Sequence, residues 1–208
     1  MYLGVTALYI IIILQIPGDL QKEIGAVTIL SDPSMLGFFM IGGLVLFERD
    51  SNIISGLFVT PLPFKSYILS KAISLTLLSL IASLCIAFAS GASGWGIFWL
   101  LLGVLLTSGL FVIIGFTAVS LVPTLNWYLI SSGGYMTAFA LPPILYYAGL
   151  LDHFIWNLLP TRASLVLIRG AFFPLPIAEG VTALLSLVIW SVALYFPMKK
   201  VYMRSVLR

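Results

Sequence analysis

Apolar runs separated by short polar breaks divide the chain, and the lengths of those runs set the first expectation. Crossing a hydrocarbon core of about 30 Å takes roughly 20 helical residues. The pattern predicts six spans, over about residues 1–16, 33–47, 66–90, 97–121, 127–150 and 177–196. The first is short, since its 16 residues rise only about 24 Å at 1.5 Å each, so the chain is expected to begin inside the membrane. It lacks the basic flank and small-residue cleavage site of a signal peptide. Asp19, Lys22 and Glu23 read as the first polar loop. Asp32 before Pro33 reads as the start of the second helix, with the carboxylate capping free N–H groups and proline at the first position. Gly37, Gly42 and Gly43 allow close helix approach in that span.

In residues 47–71 several charges interrupt otherwise continuous apolar sequence. Glu48, Arg49 and Asp50 end the second span, and Lys65 and Lys71 flank the third, because a charge in lipid costs a few kcal/mol. Between them Ile53, Ile54, Leu57 and Phe58 fall on one face of a short amphipathic helix, with Ser51 or Asn52 as N-cap. Thr60-Pro61-Leu62-Pro63 stops it. On residues alone such a helix suits either the lipid headgroups or a partner protein.

Gly91-Ala92-Ser93-Gly94-Trp95-Gly96 predicts a tight turn with an interfacial tryptophan, and Val122-Pro123-Thr124-Leu125-Asn126 predicts another. The fifth span contains Ser131-Ser132-Gly133-Gly134 and Pro142-Pro143, and its prolines predict that it faces the bundle interior, where freed backbone groups find partners. Residues 152–176, broken by Pro160, Pro174 and Pro176, suit one or two short interfacial helices. There Asp152 and His153 read as a water-exposed pair, and Arg162 and Arg169 as headgroup contacts.

Composition agrees with a single all-α polytopic membrane domain over residues 1–208. Hydrophobic residues make up 61% and charged residues 8% of the chain, against about a quarter charged in soluble domains. Six spans put both termini and the 47–71 loop on one side. Seven basic residues lie there (Arg49, Lys65, Lys71, Lys199, Lys200, Arg204, Arg208) and three opposite (Lys22, Arg162, Arg169), which orients the loop to the cytoplasm. Cys85 is the single cysteine, so no intrachain disulfide forms. No basic cluster suggests nucleic acid, no ligand group suggests a metal, and no phosphate-binding loop is present. Ser131, Ser132, Tyr135 and Thr137 are candidates for a translocation path, although span hydroxyls also bond their own helix.

Taken together, Asp32-Pro33, Leu36-Gly37, residues 41–50, Val59-Thr60-Pro61-Leu62 and residues 67–71 resemble the membrane subunit of type-2 ABC exporters, nearest the fluoroquinolone-export-permease-like group. The resemblance covers almost the whole chain. It implies a bacterial cytoplasmic-membrane permease that exports an amphipathic substrate, is not itself an enzyme, and carries no cofactor, with ATP and Mg in a separate ATPase. It also implies that Glu48, Arg49, Asp50, Ile53, Ile54, Leu57 and Phe58 form an ATPase-coupling helix, and that a second copy or a paralogue completes the unit. Members of that group usually carry an amphipathic cytoplasmic helix ahead of the first span, whereas this sequence starts within it. Two other readings are weighed against this one. A rhomboid-like intramembrane serine protease would use Ser93 with His153, and a scaffold or immunity protein would transport nothing.

Overall fold

The computed structural model describes residues 2–51, 64–92, 94–147, 149 and 158–206. The described backbone forms helices α1 (Tyr2–Leu14), α2 (Gly18–Ser31), α3 (Leu36–Asp50), α4 (Phe64–Ala89), α5 (Gly96–Val119), α6 (Leu125–Tyr147), α7 (Pro160–Arg169) and α8 (Ile177–Val206). No strand occurs among the described residues, as expected for an all-α chain. Four stretches there are long and apolar enough to cross a membrane: Leu20–Asp50, Ser66–Ala89, Gly96–Val119 and Ile177–Val201.

Helix α5 is the hub, packing against α3, α4, α7 and α8. Lipid tails are as apolar as leucine, so helices associate through close packing, and small residues permit it. At Gly115 of α5 an added Cβ would lie 2.2 Å from Ile41 Cγ2 of α3, a spacing no side chain tolerates. Phe38, Ile41 and Val45 of α3 and Phe111, Val112 and Phe116 of α5 are accordingly buried.

The second span departs from its expected bounds. Asp19, Lys22 and Glu23 lie in a helix, α2, rather than in a polar loop, and the span runs from about Leu20 to Asp50 with a break at 32–35. The charge at Glu23 is tolerated because Arg169, at the end of α7, donates to both its carboxylate oxygens, through Nε at 3.1 Å and through Nη2. Local sequence cannot announce a partner so far along the chain. The expected cap also fails. Helix α3 starts at Leu36, after Met35 and without a side-chain cap, while the Asp32 carboxylate instead accepts the hydroxyl of Tyr2 at 3.1 Å.

Helix α7 is a single ten-residue helix with proline in its first turn, close to the short helices expected before the last span. It does not lie on the surface, however. Thr161, Ser164, Leu165, Leu167 and Ile168 are buried, and the helix touches α2, α5, α6 and α8. Thr107 Oγ1 of α5 donates to Ser164 Oγ at 2.7 Å, and Ser164 Oγ donates to the Pro160 carbonyl at 3.1 Å. Arg169 thus serves an ion pair and stacks 4.7 Å from the Phe173 ring centroid, which replaces the expected headgroup contact. Arg162 is half-buried. Asp152 and His153 lie outside the described residues.

The turn before α5 forms as expected, with Gly91 and Gly94 at φ of 83° and 69° and Trp95 93% exposed. Helix α6 runs unbroken through Pro142 and Pro143, yet within this chain it sits at the edge of the bundle. It touches α2, α3 and α7 and leaves Ile130, Gly133, Gly134, Thr137 and Leu141 exposed. The expectation of an interior position is corrected to this extent: prolines report that a helix needs protein contact on one side, not that it is enclosed.

Candidate coupling site at the feet of helices α3 and α4

At the end of the bundle away from the Glu23–Arg169 pair, three connections meet. Glu48, in the last turn of α3, accepts the hydroxyl of Tyr67 at Oε2 over 2.6 Å and the ammonium of Lys71 at Oε1. Glu48 and Lys71 are only 15% and 21% exposed, so the pair is shielded and counts for more than a surface ion pair. Tyr67 and Lys71 sit one turn apart in α4, and the Lys71 ammonium lies 5.7 Å from the Tyr67 ring centroid. The ring packs in turn on Phe116 of the hub helix, 6.0 Å between centroids. One residue beyond Glu48, Arg49 Nη2 donates to the carbonyl of Pro123 in the α5–α6 turn. Asp50 is exposed at the end of α3.

This arrangement brings part of the expected coupling set together. Glu48 faces into the chain and exposed Arg49 reaches across to the α5–α6 turn, so together they fasten the feet of the 52–63 segment to the hub and to that turn, while Asp50 is exposed without such a contact among the described residues. Ile53, Ile54, Leu57 and Phe58 lie outside the described residues. Sequence reasoning placed Lys71 as a flanking charge but missed Tyr67 as a carboxylate donor. The i, i+4 spacing of Tyr67 and Lys71 at the head of α4 was the available signal.

Of the four candidate path residues, three have hydroxyls that donate to their own helix: Ser131 to Tyr128, Ser132 to Leu129 and Thr137 to Gly133, at 3.0, 2.6 and 2.8 Å. Ser132 is buried, Thr137 exposed, and Ser131 and Tyr135 half-buried one turn apart. Tyr135 approaches Phe38 of α3, 6.0 Å between ring centroids. Tyr128, just before them, is buried, stacks on Phe38 at 5.4 Å and donates to the Phe38 carbonyl. These contacts anchor one face of α6 to α3. Among the described residues no group of histidine, cysteine and carboxylate side chains could hold a metal ion. Ser93 and His153, which a serine protease would require, both lie outside the described residues.

Comparison with known proteins now sets this geometry in a family. The chain is similar to two fluoroquinolones export permease proteins of Mycobacterium tuberculosis, from strains CDC 1551 / Oshkosh and ATCC 25618 / H37Rv. Each is 27% identical over 166 residues, which cover 79% of this chain and 70% of the relative. The family model for fluoroquinolones export permease proteins matches residues 3–208, so nearly every feature described above lies within the match. The chain, with helices long and apolar enough to cross a membrane, therefore belongs to the fluoroquinolones export permease family.

Proposed function

We propose that this chain is the membrane subunit of an ATP-binding-cassette exporter in a bacterial cytoplasmic membrane. It moves an amphipathic substrate of the fluoroquinolone kind outward with energy from a separate ATPase that binds ATP and Mg. Six spans, counting α1 and α6 with the four longer stretches, keep both termini and the 47–71 loop in the cytoplasm. The ATPase docks on residues 51–63 through Ile53, Ile54, Leu57 and Phe58, with Asp50 at the rim of the contact. Two copies, or one copy and a paralogue, make the unit, with the exposed face of α6 and its Ser131, Tyr135 and Thr137 at the path between them. The observation that carries this reading is the Glu48–Tyr67–Lys71 cluster, which fastens both feet of the 52–63 segment to the bundle. A segment whose two ends are tied to a packed hub can pass a push from the cytoplasm into the spans. A segment merely resting on headgroups has no use for such ties.

Truncating Leu57 and Phe58 to alanine tests it. Each buried apolar side chain contributes about 1.5–3 kcal/mol, so the pair is worth tenfold or more in affinity. The expected result is normal membrane insertion with loss of ATPase co-purification and of transport-coupled hydrolysis. Wild-type recovery of the ATPase by the double variant would overturn the assignment.

A further inference from the structure

A groove of about 450 Å³ runs along the bundle surface where α4, α5 and α8 meet, a volume in the ~300–1,000 Å³ range of small-molecule sites. Leu69 of α4, Leu105, Gly109 and Ile113 of α5, and Ser191 and Tyr195 of α8 line it. Gly109 accounts for the depression. Elsewhere on α5 glycine serves close packing, since an added Cβ would lie 2.8 Å from Leu167 at Gly103 and 2.2 Å from Ile41 at Gly115. At Gly109 it would meet nothing within 4 Å, so this glycine leaves space that no other described residue fills. Leu69 and Leu105 are exposed, which places the groove on the outside of the bundle.

Its place and chemistry select the occupant. From Leu105 to Ile113 the groove follows α5 for about 12 Å, close to the ~15 Å depth of one leaflet in a ~30 Å hydrocarbon core. It lies toward the Glu48 end of the bundle. Leu69 is three residues inside the apolar stretch of α4, which starts at Ser66, and Tyr195 is six residues inside that of α8, which ends at Val201. The lining is apolar apart from two hydroxyls. Ser191 Oγ donates to the Leu187 carbonyl of its own helix at 2.8 Å, whereas the Tyr195 hydroxyl has no hydrogen bond among the described residues. Exposed Lys199 follows Tyr195 by one turn of α8, and Lys65 precedes Leu69 by one turn of α4, so both helices carry a basic residue at the outer end of the groove. An apolar trough one leaflet deep, with basic residues beyond its outer end, is the complement of a lipid with a negative headgroup. We propose that the groove binds an anionic phospholipid of the leaflet on the Glu48 side, with an acyl chain over Gly109 and the phosphate held by Lys199 and the Tyr195 hydroxyl. The same basic residues disfavour a cationic drug, and α6, which carries the face proposed for the path, packs on α2, α3 and α7 instead. Only the naming of that leaflet as cytoplasmic rests on the exporter reading.

The test places the full chain in phosphatidylcholine nanodiscs with a trace of either phosphatidylglycerol or phosphatidylcholine bearing a photoreactive diazirine on one acyl chain. Peptide mass mapping is expected to find crosslinks on residues 105–113 and 191–195. Phosphatidylglycerol should give about fivefold more of them than phosphatidylcholine, the effect of one lysine on an anionic headgroup, while both probes label exposed Leu129 and Ile130 of α6 equally. Gly109→Leu fills the groove floor and should abolish the groove crosslinks without changing those on α6. Lys199→Gln should bring the two probes level. Equal crosslinking of the wild-type groove by both probes, no crosslinks there, or groove crosslinks that survive Gly109→Leu would each overturn the site. So would their loss on adding a fluoroquinolone, or in discs holding two copies of the chain, which would assign the groove to a drug or to a second copy. The wild-type comparison requires no variant to fold. Failure of the exporter reading would show separately, as a chain that recruits no ATPase yet keeps its lipid crosslinks.

Discussion

Lys71→Met removes the ammonium from the Glu48 cluster while keeping the side chain's apolar stem, and its cost can be worked from the geometry. Glu48 would be left 15% exposed with Tyr67 as its remaining donor among the described residues. Breaking a fully buried pair from one side costs about 3–5 kcal/mol, and an exposed pair contributes about 0–1 kcal/mol. At 15% and 21% exposure the loss should fall near 2–3 kcal/mol. Glu48→Gln should cost about 1.5–2 kcal/mol, because the amide still accepts from Tyr67 but strands the lysine. The double variant has no stranded charge and should cost about 2 kcal/mol, well below the sum of the single losses. The coupling energy is then about 1.5–3 kcal/mol, several times the ~0.5 kcal/mol scatter expected of independent sites. Equilibrium unfolding by SDS in mixed micelles measures the cycle, and ATPase stimulation in reconstituted vesicles reports whether the same variants uncouple transport. Additive single effects would refute the lock. So would a destabilised Lys71→Met protein whose ATPase stimulation is unchanged, as regards its role in coupling.

Other outcomes follow from packing and topology. Gly42→Ala would place a Cβ 2.0 Å from the Tyr128 ring, whereas Gly43→Ala meets nothing within 4 Å. The first should therefore destabilise by about 1–3 kcal/mol, and the second should be neutral or slightly stabilising, in the same unfolding assay. Thr107→Val removes the donor to Ser164 and should cost about 0.6–1.7 kcal/mol, with faster proteolysis after Arg169 as a local readout. In a Cys85→Ala background, a membrane-impermeant maleimide applied to intact cells should label Asp152→Cys and spare Lys65→Cys. External labelling of the latter would invert the proposed orientation.

Much of the fold was legible because three spans are long, uninterrupted and apolar, and α4, α5 and α8 begin and end within a few residues of the expected bounds apart from the C-terminal extension of α8. The Gly91–Trp95 turn was equally plain, since glycine at positive φ and an interfacial tryptophan are local signals. The second span was misread for a different reason. Glu23 signals a loop only if its charge is unpaired, and its partner Arg169 is 146 positions away. Asp32-Pro33 likewise has the local form of a helix start, but the hydroxyl of Tyr2 draws the carboxylate sideways and the helix begins later. In the candidate coupling region, charge placement located the feet of the loop, while the inward turn of Glu48 depends on Tyr67 and Lys71 from the next helix. Periodicity within one helix carries no information about that choice.

The hub position of α5 has a consequence for biosynthesis. Helix α5 packs about as extensively on α8, made well after it, as on α3, and α3 and α4 are made before it. When α5 enters the bilayer, the face that ends against α8 has only lipid or the insertion machinery to cover it. Gly180 of α8 closes onto the Trp99 ring of α5, where an added Cβ would lie 2.5 Å from the indole, and that fit cannot form until some 80 further residues have been synthesised. The bundle therefore closes only once α8 has entered the membrane, and a helper that shields membrane helices in waiting would find a long-lived target in α5.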